Sequence, residues 1–206
     1  MRIILARHGE TTENSQKRIS GNSNTAKLNK TGYEHAKKMN EIFKTHKIEA
    51  IFSSPLTRAV ETVKPLAKSL KLKIQPTEEL KEFDFGIFDG EKQKDEAEEF
   101  LLKRKKDINF KFPEGESYKD VLKRVKPFLE KLQKNSYKMV FLQGHGGVNR
   151  CILSILTKTN PKDLDHINTP NNIVYEIDTK SNECWWEDTL SRKTGEGLIF
   201  RDKDKI

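Results

Sequence analysis

Two histidines and two arginines stand where this chain could do chemistry. Arg7-His8-Gly9-Glu10-Thr11 follows the apolar run RIILA, and Ser53-Ser54-Pro55-Leu56-Thr57-Arg58 closes the run EAIFSS. Gly144-His145-Gly146-Gly147 follows KMVFLQ. A guanidinium offers paired N–H donors that match the oxygens of a phosphate or a carboxylate. Two guanidiniums and two imidazoles around one point repel each other unless an anion lies among them. Glycines beside both histidines leave backbone N–H groups open to a ligand. If the chain gathers these segments, the residue types describe a site for a dianionic phosphoryl group.

The elements needed to gather them are readable. Short apolar runs at 2–6, 49–54, 72–76 and 138–143 predict buried strands. Asn29 predicts a helix cap, with Ala36, Met39, Ile42 and Phe43 on one face of a helix reaching about His46. Ser54 is read as a cap and Pro55 as the first residue of the next helix, with Pro65 kinking or breaking it. A helix from Ser117 to about Asn135 has Pro127 as a kink, and another spans Val148 to Leu156. NIVYEID and ECWWED, joined by Lys-Ser-Asn, predict a closing hairpin. The stretch 83–116, with six phenylalanines among many charges, has no clear period and is assigned to a substrate-capping role within a single domain spanning 1–206. Strands alternating with helices predict an α/β three-layer sandwich, a mostly parallel central sheet with helices on both faces. Ligands of such sheets bind beyond the carboxyl ends of the strands, where His8 and His145 fall.

Composition narrows the partners. The 206 residues carry a formal net charge of +8, which favours anionic ligands. Lysines interleaved with acids read as a solvated surface. The Lys-rich 103–112 segment is the sole candidate for a nucleic-acid contact, and a nucleic-acid-binding protein is the remote alternative. Cys151 and Cys184 lack metal-ligand spacing and are expected as buried thiols. No apolar run approaches membrane-spanning length, and Met1 leads straight into the first strand, so a cytoplasmic protein is expected. His35, His46 and His166 stand outside any motif and are expected at the surface.

The sequence resembles the histidine phosphatase superfamily, the phosphoglycerate-mutase-like enzymes. The resemblance rests on RHGET at 7–11 with Asn14, SSPLTRAVET at 53–62, LKEFDFGIFDG at 80–90, PEGES at 113–117 and QGHGGVNR at 143–150. It implies hydrolysis of a small phosphorylated metabolite, without metal or other cofactor, by a monomer or homodimer. His8 is the implied nucleophile. Arg7, Arg58 and His145 are the implied holders of the phosphoryl oxygens, with phosphate or substrate contacts also at Asn14, Ser20, Gly21 and Gly146. Glu82 matches the general acid, with Glu78, Glu79 and Asp84 as neighbouring competitors. Arg18 either orders its loop or touches substrate. The loop between Gly21 and Leu28 is one residue longer than the family's commoner form. Glu82 and His145 lie 63 positions apart, too close for the longer segment of dedicated mutases, so the resemblance favours the phosphatase branch over the alternative, a phosphoglycerate mutase.

Overall fold

Ile3, Ile4, Leu5 and Ala6 are all buried, so the first strand has no solvent face and must be covered on both sides. A computed structural model, which describes residues 1–201, shows how. The elements are β1 (Arg2–Arg7), the single turn α1 (Thr12–Ser15), α2 (Lys30–Phe43), β2 (Ala50–Ser53), α3 (Thr57–Leu70) and β3 (Ile74–Pro76). Then follow α4 (Asp95–Lys106), α5 (Tyr118–Gln133), β4 (Met139–Gly144), α6 (Gly146–Thr157), β5 (Ile173–Asp178), β6 (Cys184–Asp188) and β7 (Thr194–Glu196). One seven-stranded sheet runs in the order β3-β2-β4-β1-β5-β6-β7. The neighbours β3, β2, β4 and β1 pair parallel, and β5, β6 and β7 continue antiparallel.

The two-residue period of the strands divides the core between the faces. Ile4, Ala6, Ile51 and Phe141 meet Met39, Ile42 and Phe43 of α2 and Val63, Leu66 and Ala67 of α3. Ile3, Leu5, Val140 and Leu142 meet Val121, Val125 and Leu129 of α5 and Val148, Ile152 and Leu153 of α6. Each Val, Leu, Ile, Met or Phe among them stabilises the fold by roughly 1.5–3 kcal/mol of burial. The expected three-layer sandwich and the closing hairpin are both present; β7 extends that hairpin by a strand the sequence did not suggest.

Pro65 and Pro127 lie within continuous helices, so Pro65 does not break α3, and α5 runs on through Pro127 as expected. Three local expectations are corrected. Ser54 does not cap α3, which begins at Thr57 behind Leu56 and has no side-chain cap. The last helix of the parallel half starts at Gly146 rather than Val148, so the N–H groups of its first turn border the strand end. His35 is buried, because Gly32, His35, Ala36, Met39, Ile42 and Phe43 form one stripe at helical spacing. His46 and His166 are half-buried rather than exposed.

The stretch 83–116 is built around its aromatic rings. Phe83, Phe85, Phe88 and Phe112 are buried, and Phe100 and Phe110 close on them from α4 and the loop beyond. Gly86 permits the turn: it sits at φ +56°, and a side chain there would strike the Pro113 carbonyl.

Candidate active site

Strand register places the two histidines side by side. Arg7 pairs with Gly144 across β1 and β4, so the next residues, His8 and His145, leave adjacent strand ends roughly 4.8 Å apart. Their ring centroids are 5.0 Å apart, tilted by 59°. On the other side of β4, Ser54 N–H donates to the Gln143 carbonyl at 2.9 Å. This brings the Ser54 hydroxyl to 2.8 Å from His145 Nε2. Arg58, on the first turn of α3, reaches back and donates to the carbonyls of Gly21 at 2.6 Å and Ser23 at 3.0 Å. Arg7 donates through Nη1 to the Thr169 carbonyl at 3.1 Å.

The state of His8 follows from its contacts. Nδ1 lies 2.7 Å from the Gly9 carbonyl, which can only accept, so Nδ1 carries the proton and Nε2 keeps its lone pair. Thr62 and Asn171 hold the main chain on either side, by bonds of 2.9 Å to Gly9 N–H and 2.7 Å to the His8 carbonyl. Burial, then the charges of Arg58 and Arg7, hold the His8 pKa well below its ordinary value. Burial, then Arg58 and His8, do the same for His145. Burial lowers Arg7 to about 10, which leaves it charged at neutral pH.

Three buried nitrogens of these residues have no partner. Arg7 Nε, Arg58 Nε and His145 Nδ1 are buried and unbonded. Each buried unmatched polar group costs about 1–3 kcal/mol. An anion seated among them would satisfy both arginine N–H groups.

Glu82 stands at the α6 N-terminus. Its carboxylate accepts from Gly147 N–H at 3.0 Å, Val148 N–H at 3.1 Å and Phe83 N–H at 3.0 Å. The N–H groups of a helix's first turn lack intrahelical partners, and Glu82 satisfies two of them. Gly147 is required there, since a side chain would run into the Phe83 ring and the Glu82 carboxylate. Of the competing acids, Glu78 is exposed and paired with Lys81 at 2.7 Å, and Asp84 is bonded to Gly86 N–H at 2.8 Å. Glu79 does not face the cavity either.

That cavity, of about 310 Å3, is lined by Arg7, Glu82 and Gly146 among others. His8, Arg58 and His145 are not part of its lining and are 2%, 0% and 0% exposed; His8 and His145 adjoin Arg7 and Gly146 in the chain. Asn14 and Ser20 line the wall, the latter with an unbonded buried hydroxyl. Arg18 also lines it while donating to the Gly90 carbonyl at 2.9 Å, so both readings of that residue have a contact behind them. Gly21 does not line the cavity. Its N–H is taken by Asp89 at 2.7 Å and its carbonyl by Arg58, so it anchors the loop to that arginine. Among the described residues no group of three His, Cys, Asp or Glu side chains is placed to share a metal ion.

Sequence reasoning missed the outer wall. Arg104, Arg150, Asp165 and Arg201 line it. Asp165 accepts from Tyr118 at 2.7 Å, Arg104 at 3.3 Å and Arg150 at 3.4 Å. The Arg104 guanidinium also lies 5.0 Å from the Tyr118 ring centre and 5.4 Å from that of Phe83. One signal was available: Arg150 stands little more than a helical turn after His145, on the same motif.

The shifted histidines carry a prediction. In the resting protein neither His8 nor His145 should titrate near pH 6.5, as read by histidine 15N and ring-proton resonances; a transition at the ordinary value would contradict the burial argument. The sign for stability follows. Below pH 6.5 the unfolded chain binds protons that these buried rings refuse, so stability should decline as pH falls from there.

The parallel half of the sheet thus delivers two histidines from adjacent strand ends among buried arginines. The model of the histidine phosphatase superfamily (branch 1) matches residues 3–190, and the chain belongs to that family. It is 27% identical over 188 residues to 6-phosphofructo-2-kinase/fructose-2,6-bisphosphatase of Gallus gallus, covering 88% of this chain and 38% of that protein. It is also 27% identical over 186 residues to fructose-2,6-bisphosphatase of Saccharomyces cerevisiae, covering 87% and 39%. The chain thus spans under half the length of these relatives. Among solved structures, the mycobacterial glucosyl-3-phosphoglycerate phosphatase shares the fold at a TM-score of 0.81, with 21% identity over 98% of this chain and 99% of that one. The alpha-ribazole phosphatase of Shigella flexneri does so at 0.78, with 21% identity over 98% and 96%. No helix among the described residues is long and apolar enough to cross a membrane.

Proposed function

We propose that this protein hydrolyses small phosphorylated metabolites through a phosphohistidine on His8, and that its substrates carry a second anionic group. The observation that carries the first part is the free Nε2 of a buried, neutral His8 beside the unpartnered Nε–H groups of Arg7 and Arg58. The Nε2 lone pair attacks phosphorus as the bond to the leaving oxygen breaks, and protonated Glu82 gives that oxygen its proton. Glu82 then takes a proton from water, whose oxygen attacks phosphorus; the P–N bond breaks, and phosphate leaves with His8 restored. Such transfers have loose transition states, so positioning and charge neutralisation by Arg7, Arg58 and His145 supply most of the rate.

The second part rests on the outer wall. Arg7, Arg18, Arg104, Lys105, Arg150 and Arg201 line one cavity against three carboxylates, Glu82, Glu98 and Asp165, the last bonded to Arg104 and Arg150. A leaving group with its own phosphate or carboxylate matches that excess. The names of the relatives agree, since fructose-2,6-bisphosphatase and glucosyl-3-phosphoglycerate phosphatase both describe substrates with more than one acidic group. Hydrolysis is favoured over mutase chemistry by the short spacing from Glu82 to His145.

A panel of sugar bisphosphates, phosphoglycerates, sugar monophosphates and p-nitrophenyl phosphate tests both parts. The doubly anionic members should be preferred roughly 10- to 100-fold in kcat/KM, the scale of one or two charge-assisted contacts. Arg201→Ala should raise KM for those members and leave p-nitrophenyl phosphate unaffected. Equal rates across the panel would overturn the second part, and no phosphate release from any member would overturn the first.

A further inference from the structure

We propose that Ser54 is a positioning residue, whose hydroxyl donates to His145 Nε2 and thereby fixes the His145 proton on Nδ1, toward the phosphoryl oxygens. This rests on the reading above that a phosphoryl group binds beside His145.

The bond is placed by the sheet rather than by chance. Ser53 pairs with Gln143 across β2 and β4, and Ser54 N–H continues that ladder at 2.9 Å. Ser54 and His145 are both fully buried, so water does not compete for the 2.8 Å contact.

The direction of the bond follows from counting protons. Leu56 N–H, which can only donate, is directed at Ser54 Oγ at 3.3 Å. The Ser54 carbonyl is already taken by Ser53 Oγ at 2.8 Å. The one hydroxyl proton of Ser54 therefore has His145 Nε2 as its acceptor among the described contacts. Reversing the bond would strand that proton in a buried site. It would also turn a lone pair of Nδ1 toward the incoming phosphate, where oxygen would be repelled. With Nε2 accepting, the unpartnered Nδ1 is an N–H donor.

The two imidazoles then share one tautomer but present opposite atoms. His8 spends its Nδ1–H on the Gly9 carbonyl and shows a nucleophilic lone pair. His145 spends its Nε2 lone pair on Ser54 and shows a donor. A chain in which both rings showed donors would have no nucleophile, and one in which both showed lone pairs would repel the phosphate.

The test is made on the full chain with 15N-labelled histidine. Long-range proton–nitrogen spectra of the resting protein, without substrate, report which ring nitrogen of each histidine is protonated. His145 is expected as the Nδ1–H form, and Ser54→Ala should shift it toward the Nε2–H form or a mixture. Turnover of p-nitrophenyl phosphate by Ser54→Ala should fall roughly 10- to 100-fold in kcat with a smaller change in KM, less than the loss of a whole oxyanion donor. An Nε2–H form of His145 in the unaltered protein would overturn the proposal without any variant. So would a Ser54→Ala protein with unchanged tautomer and unchanged kcat. Because the tautomer is read without substrate, a failure of the phosphatase reading leaves this measurement decisive.

Discussion

His8→Ala is expected to lose more than about 99% of turnover while keeping its fold. General acid–base help alone is worth roughly 100- to 10,000-fold, and removing a covalent nucleophile should exceed its lower end. No neighbour can substitute. His145 is 5.0 Å away between ring centres, but its Nε2 is bonded to Ser54. Arg7 and Arg58 are cations without a lone pair to offer. The fold should survive, because the ring makes a single hydrogen bond, to the carbonyl of the adjacent Gly9. The bonds that hold this turn, from Thr62 and Asn171, go to main-chain atoms that alanine retains. Thermal unfolding and steady-state kinetics on the same preparation separate the two effects. A folded His8→Ala protein with more than about 1% of the activity would remove His8 as nucleophile.

Glu82→Gln should divide substrates by their leaving groups. An alkoxide needs a proton to depart, whereas p-nitrophenolate is stable without one. Glutamine still accepts backbone hydrogen bonds through its carbonyl oxygen, but it has no acidic proton. Release of alcohol from alkyl phosphates should therefore slow by roughly 100- to 10,000-fold, while the first burst of p-nitrophenolate is largely spared. Later turnover should be slow for both, because the same carboxylate is expected to activate water in the second step. Glutamine or asparagine at positions 78, 79 and 84 should lack this selectivity, since those side chains do not face the cavity. Equal slowing of both first steps, or selective loss at another position, would move the acid role away from Glu82.

The parts of the site legible in the sequence are those set by strand ends. Arg7 with His8, and Gly144 with His145, sit on contiguous motifs, and sheet register alone makes them meet. Ser54 was legible as a residue but not as a role. Ser-Pro is an ordinary helix-start signal, and only the β2–β4 pairing turns its hydroxyl toward His145 instead of a helix N-terminus. The outer wall was not legible, because Arg104, Tyr118, Arg150 and Asp165 come from four separate segments joined by packing. Charge-rich surroundings hid Arg104, which reads as one more solvated residue in LLKRKK until the phenylalanine rings bury it. A break at Pro65 was the opposite kind of misreading, since packing of the core stripe holds α3 together across the lost backbone bond.

The central claim is a covalent phosphohistidine on His8, and the Glu82→Gln variant is where it should persist longest. That variant, mixed with p-nitrophenyl phosphate and quenched in alkali, would be digested and its peptides sequenced by mass spectrometry. The account predicts one phosphoryl group per chain, on His8, stable in base and lost in acid. Phosphate on any other residue, or an unmodified His8 while p-nitrophenolate is being released, would contradict it.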